Sequence, residues 1–312
     1  MTRNWLYVGL LGAGVGTLAW NQGTLGQTPG KDAPAVKPDA TKQSDIPNPQ
    51  DGSLQDRVYR NKYFGLAYPL QSHWGEDTEG PKPSFEGYYV LSRLKAEPSD
   101  DAHLSMFLAA RDMFFGARPI SNAKEYAVVF RDAQAAISGM TIDREPSEIT
   151  LAGHTFMRVD YSGVGLYRAW LATDIRCHLV SFNITSTDPK ALDEAARSLE
   201  RLSLPEEASA NTMGTSADGS SAPVCVKDYA TEANVLHRVD PEPAGNNFQK
   251  IPVRIIIATD GSVRHVNVIR AFPKQKLSIE AALQQWKLKP YEVNGRPAEV
   301  ETGLMFEFKP RV

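Results

Sequence analysis

Apolar and polar positions along this chain change rhythm several times, and each change marks an element. Alternation with a two-residue period runs through residues 88–94, 103–110, 147–151, 155–162, 167–174 and 177–186, which predicts six strands. Tyr59 to Leu70 predicts two shorter strands around a turn. Helical spacing replaces alternation twice. Val128, Val129, Ala133, Ala136 and Ile137 predict a helix opened by Ser121 as N-cap and closed before Gly139. Leu192, Ala195, Ala196, Leu199 and Leu202 predict a second, with Asp188 as cap and Pro189 at the first helical position.

Nearer the carboxyl end, Ile251–Ala258 and Val263–Arg270 flank Thr259-Asp260-Gly261-Ser262, whose Asp-Gly pair predicts a tight hairpin. Apolar residues occupy both faces of the returning strand, and the face holding Val266 and Val268 is taken as inner. Ser278 is expected to cap a helix carrying Ile279, Ala282, Leu283 and Trp286. A strand after Lys289-Pro290, a turn at Val293-Asn294-Gly295-Arg296 and a last strand from Ala298 to Lys309 complete the pattern.

Two stretches break these rhythms. Residues 27–56 are rich in proline, charge and small side chains, and 206–222 in serine, glycine and alanine; both predict linkers. The expected fold class is therefore α+β: two small domains, 57–205 and 223–312, each an antiparallel sheet packed with helices. Ahead of them, Arg3 precedes an uncharged stretch from Asn4 to Gly30 with an apolar heart at 5–19. That is the pattern of a signal peptide over residues 1–26, or of a short membrane anchor, and it implies export to the periplasm or beyond.

Composition narrows the function. With 42% apolar and 23% charged residues the body can fold, and a net charge of -3 gives no bulk attraction to nucleic acid. Acidic residues outnumber basic ones over 51–222, and the reverse holds over 223–312. The six histidines are scattered, with no zinc spacing, and no nucleophile elbow or phosphate loop occurs. Gly12-Ala13-Gly14-Val15-Gly16 has Thr17 where a dinucleotide fingerprint needs its third glycine. Asp228, Glu232, Asp240 and Glu242, and His237 beside Arg238, read as solvated surface. Neither a cofactor nor a metal is expected. Cys177 and Cys225 are the two cysteines, and spacing alone leaves open whether they pair.

The region 57–205 resembles the PsbP/Mog1-like superfamily in Tyr59-Arg60-Asn61-Lys62-Tyr63-Phe64-Gly65-Leu66-Ala67-Tyr68-Pro69, Trp74, Gly153-His154-Thr155-Phe156 and the closing helix. That superfamily implies binding or assembly. Its aromatics Tyr59, Tyr63, Phe64, Tyr68 and Trp74 are expected in the core rather than on a ligand platform. The region 223–312 resembles the TonB C-terminal domain. The likeness lies in Asp260-Gly261 between strands, Ala281-Ala282 in a helix, Trp286-Lys287-Leu288-Lys289-Pro290, and Asn294-Gly295-Arg296-Pro297. Asp240-Pro241-Glu242-Pro243 stands where that family has a Tyr-Pro pair.

The TonB-like resemblance implies an envelope adaptor that docks a protein, such as an outer-membrane transporter, by strand addition. The edge would be Glu299, Val300, Glu301, Thr302, Leu304 and Phe306, with Glu299, Glu301 and Glu307 as edge charges that also guard against aggregation. Two readings stand beside it: an envelope assembly factor with two binding modules and no transport role, and an unrecognised hydrolase.

Overall fold

The structure is a computed structural model that describes residues 48–77, 87–97, 103–115, 120–204, 223–242, 244 and 250–307. The expected signal or anchor segment, most of the first linker and the whole of the second lie outside the described residues.

The first half opens with β1 (Gly52–Gln55), β2 (Val58–Asn61) and β3 (Leu66–Pro69), an antiparallel sheet in that order. The end of the expected linker is thus corrected: residues 52–55 lie in a strand, paired from Gly52 with Asn61 to Gln55 with Val58. Next come β4 (Trp74–Glu76), β5 (Tyr88–Ala96), β6 (Leu104–Asp112), α1 (Ala123–Ala135), β7 (Thr141–Leu151), β8 (His154–Gly163), β9 (Leu166–Ile175), β10 (His178–Ser186) and α2 (Pro189–Ser198). The seven strands form one antiparallel sheet in the order β4-β5-β6-β10-β9-β8-β7.

Each face of this sheet has a core. One gathers Tyr59, Phe64, Tyr68, Trp74, Phe156 and Phe182 with the apolar stripe of α2. The other lies beneath α1, where Phe130 stacks on Trp170 with ring centroids 4.7 Å apart. Asp188 caps α2 through a bond from Lys190 N, as its sequence predicts. The cap of α1 falls one residue later than expected. Asn122 accepts from Glu125 N, and the Glu125 carboxylate reaches back to Ser121 N, so the amide side chain and not the serine hydroxyl caps the helix.

The second half contains β11 (Val224–Cys225), β12 (Val235–His237), β13 (Lys250–Ile257), β14 (Val263–Val268), α3 (Pro273–Leu283), β15 (Lys287–Leu288), β16 (Tyr291–Val293), β17 (Arg296–Ala298) and β18 (Val300–Glu307). Its main sheet has the order β11-β18-β13-β14, antiparallel except that β11 runs parallel to β18. α3 begins at Pro273, five residues before the expected cap. Gln275 Oε1 accepts from Phe272 N there, while Ser278 lies inside the helix and donates to the Glu242 carbonyl. Trp286 falls after the helix, buried, with its Nε1 donating to the Val239 carbonyl.

Two turns behave as written in the sequence. Asn294 and Gly295 both have positive φ, 52° and 75°, the geometry a two-residue hairpin between β16 and β17 demands. Gly261 has φ 85°, its carbonyl accepts from Leu288 N, and a Cβ there would collide with the Leu288 backbone. Val266 and Val268 lie on the inner face of β14, as expected, and a bulge opposite Ile256 and Ile257 shifts the register so that Val263 joins them. Val263 and Val268, which strict alternation puts on opposite faces, are both buried in the core, and Val266 packs against it.

Candidate functional site at the second face of the four-stranded sheet

β13 is buried on both faces, which explains a run that a one-sided sheet would not need. Ile251, Val253, Ile255 and Ile257 face the core shared with Ile279, Leu283, Trp286 and Phe306. The intervening Arg254 and Ile256 face the first half of the chain and are about as inaccessible. The neighbouring positions of β18 on that side are Glu301, opposite Ile256, and Gly303, opposite Arg254. A Cβ on Gly303 would lie 2.7 Å from Phe115 and 2.9 Å from Phe114, so only glycine lets this strand approach those rings.

Arg254 is the hub. Its Nη1 donates to Asp112 Oδ2 at 2.6 Å, its Nε to Glu301 Oε1 at 3.2 Å and its Nη2 to the Arg176 carbonyl at 3.1 Å. The guanidinium also lies 4.5 Å from the centre of the Phe114 ring. Arg176 approaches from the β9–β10 turn, sharing Glu301 Oε2 through Nε and Nη2 and donating to the Tyr63 carbonyl at 2.7 Å. Tyr63 then donates its hydroxyl to Glu301 Oε1 at 2.9 Å. Asp112 Oδ1 is satisfied by Phe114 N. Two arginines balance two carboxylates, and the carboxylates are spanned by fork-shaped donors rather than left bare.

His178 completes the cluster as a neutral side chain. Its Nδ1 lies 2.6 Å from the Arg176 carbonyl, which can only accept, so Nδ1 carries the proton. That leaves the Nε2 lone pair facing Arg254 Nη1 at 3.4 Å. Complete burial, reinforced by the charge of Arg254, holds the imidazole well below its ordinary pKa of 6.5. The rings of Tyr63 and Phe64 meet it edge to face, and Tyr89 lies tilted beside it. At Glu301 burial favours the neutral acid, but Arg254 and Arg176 outweigh it and keep the carboxyl below its usual range.

The same turn carries a covalent link. Cys177 is bonded to Cys225 of β11, with Cα atoms 5.6 Å apart, which answers the question that spacing left open. Arg176 and Cys177 both have positive φ, 47° and 57°, where a two-residue hairpin turn would ordinarily place Asn-Gly. Each non-glycine residue held there costs on the order of 1 kcal/mol. The contacts of Arg176 and the bond of Cys177 offset that cost, which ties the turn's conformation to the junction it forms.

The expected docking edge is therefore placed differently from its reading as an open strand. Val224 N donates to the Glu299 carbonyl and Val226 N to the Glu301 carbonyl, so β11 lines the outer side of β18 there. Thr302 Oγ1 accepts from Tyr229 N and donates to the Lys227 carbonyl. Glu301 is not an edge charge but a buried ion-pair partner, 3% exposed. Glu299 is half-buried and paired with Arg264 at 3.0 Å. Val300 and Thr302 are fully buried, Phe306 nearly so, Leu304 packs against the core, and the side chain of Glu307 is outside the described residues.

Asp112, Arg176, His178 and Arg254 were not singled out from sequence. The one available signal is Arg254, a charge between Val253 and Ile255 in an otherwise apolar run from Ile251 to Ile257. Asp228, Glu232, His237, Asp240 and Glu242 are exposed, in keeping with a solvated connector.

Elsewhere the chemistry is spare. Among the described residues there is no group of three or more His, Cys, Asp or Glu able to hold a metal ion. A shallow cleft of about 560 Å³ is lined by Gln71, Ser72, His73, Glu194, Arg197, Ser198 and Arg201. Its Ser198 hydroxyl donates to the Ala195 carbonyl and accepts from Tyr68, so its one proton is already committed. Among the described residues no helix is long and apolar enough to cross a membrane.

No protein-family model matches the chain, and no curated protein does. Solved structures similar to part of it include the two that follow. Cyanobacterial PsbP (CyanoP) from Synechocystis sp. PCC 6803 shares 15% identity at a TM-score of 0.33, covering 47% of this chain and 91% of its own. LpqN of Mycobacterium tuberculosis, described as involved in cell envelope biogenesis, shares 13% identity at a TM-score of 0.31, covering 45% of this chain and 82% of its own. Neither supplies a residue, ligand or activity to this one.

Proposed function

We propose that this protein is a non-catalytic binding scaffold of the cell envelope that takes an extended segment of a protein partner onto its four-stranded sheet. One observation carries this reading. An ion cluster and a disulfide join the second face of that sheet to the turn between β9 and β10, so the sheet is a rigid platform. A cross-link of this kind suits an oxidising compartment outside the cytosol.

In the disulfide-bonded state the edge open to a partner is β14, the terminal strand of the sheet. Its Arg264 is exposed and its valines are anchored in the core, a firm backing for main-chain pairing. The outer side of β18, occupied by β11 at Glu299–Glu301, favours a scaffold without a transport role over an energy transducer that docks an outer-membrane transporter along Glu299–Phe306.

The test is photocross-linking in intact cells, with benzoylphenylalanine placed at Arg264, at Asn267 and, as a control, at Glu194 on the exposed side of α2. A discrete adduct from the two β14 positions and none from the control is expected. Adducts at the control alone, or none at β14, would remove the reading.

A further inference from the structure

β11 is two residues long, and two main-chain donors to β18, those of Val224 and Val226, flank Cys225. Such a short parallel pairing is weak by itself. What fixes it is the bond to Cys177 on one side and, further along, the anchorage of Tyr229, whose hydroxyl donates to the Lys289 carbonyl at 2.8 Å. Thr302 Oγ1 also holds the Lys227 carbonyl and Tyr229 N, so the segment that the cystine alone keeps in place is 223–226, ahead of exposed Lys227. Cys225 is exposed whereas Cys177 is buried, so a reductant meets the bond from the β11 side. The Arg254–Glu301–Arg176 cluster holds β18 from its other face through ion pairs in which the cysteines take no part.

We propose that the Cys177–Cys225 bond is a redox latch on β11: its reduction releases residues 223–226 and opens the outer edge of β18 at Glu299–Thr302 to an extended segment from another molecule. The step is thiol–disulfide exchange with a dithiol reductant. A thiolate of the reductant attacks Cys225 Sγ, the S–S bond breaks, and Cys177 leaves and takes up a proton. The second thiol of the reductant then displaces Cys225 from the mixed disulfide. Two electrons and two protons pass to the cysteines, and the reductant ends as its own disulfide. The opened edge offers the carbonyls of Glu299 and Glu301 to a strand running parallel to β18. It also offers the contact that Val226 makes with the core, so an incoming segment needs an apolar residue at that place.

This inference rests on the strand-addition reading but concerns a different edge, so the two can fail separately. The probe is a fluorescent synthetic peptide of residues 223–229 carrying C225S. Its binding to the full chain is measured by anisotropy in the oxidised protein, in the same protein reduced with a dithiol, and in a C177S/C225S variant. Binding at least tenfold tighter to the reduced protein and to the variant is expected, and a peptide carrying V226P as well should lose it, since it lacks the amide that Glu301 accepts. Should the variant fold poorly, hydrogen exchange at Val224 and Val226 in the reduced wild-type protein decides: those amides should lose protection on reduction. Equal peptide binding in both redox states, or amides equally protected in both, overturns the latch. Adducts from β14 persisting in both states would then leave the scaffold reading standing.

Discussion

Arg254 and Asp112 lie 142 residues apart in sequence, yet Nη1 and Oδ2 meet at 2.6 Å where almost no water reaches. Charges taken out of water are costly, and this cluster survives because each is met by hydrogen bonds of fixed geometry. Removing one partner should therefore do far more harm than removing all of them. R254M should cost about 3–5 kcal/mol, the range for stranding buried charges. Combining it with D112L, E301L and R176M, so that no charge of the cluster is left without its partner, should recover much of that loss, and urea unfolding of the single and combined variants measures the difference.

The neutral state of His178 gives the junction a pH dependence. Burial, with Arg254 adding to it, keeps the imidazole unprotonated in the folded chain, while the unfolded chain protonates it near 6.5. Below that pH the unfolded state binds a proton that the folded state does not. Stability then falls as pH drops, by about 1.4 kcal/mol per pH unit, and is independent of this group above 6.5. H178N keeps an N–H to offer the Arg176 carbonyl but does not titrate. Unfolding free energies at pH 7, 6 and 5 should show a shallower slope for H178N; an unchanged slope would mean that another group sets it.

The two hairpin glycines should respond unequally to alanine. At Gly295 nothing crowds a new Cβ, so G295A costs only the positive φ, about 1 kcal/mol. At Gly261 the same penalty is joined by a collision with the Leu288 carbonyl, which G261A relieves only by pulling β15 away from the turn. A loss of about 3 kcal/mol or more is expected there, the scale of combined strain and overpacking. Thermal melts of the pair check the ordering.

Reduction should weaken the protein globally as well as locally. The bond closes a loop between positions 48 apart in sequence. Chain-entropy arithmetic for a loop of that length gives about 4 kcal/mol. Denaturant midpoints with and without a dithiol measure it, and no shift would mean that the bond is not formed in solution.

Local chemistry made much of this architecture legible. Alternation located β5, β6, β8, β9 and β10, Asp188-Pro189 marked the start of α2, and Asn294-Gly295 forced its hairpin. The features that escaped depend on partners distant in the chain. Arg254 looks like an ordinary member of its strand until Asp112 and Glu301 are brought to it. β11 has only two residues, too few for any periodicity to register. Glu301 carries the residue type expected of an exposed edge, and only the arrival of Arg176 and Arg254 makes it a buried one. The bulge at Ile256–Ile257 likewise brings Val263 into the core beside Val266 and Val268, which strict alternation places on the other face.

If the two sheets form one body through Arg254, Glu301 and the cystine, they should unfold together. Labelling with 5-fluorotryptophan separates Trp170, under α1, from Trp286, in the core beside β13 and β18, and fluorine spectra across a urea titration follow each independently. Coincident midpoints are expected for the oxidised wild-type chain. A Trp286 signal that melts well before or after Trp170 in that same protein would contradict the account.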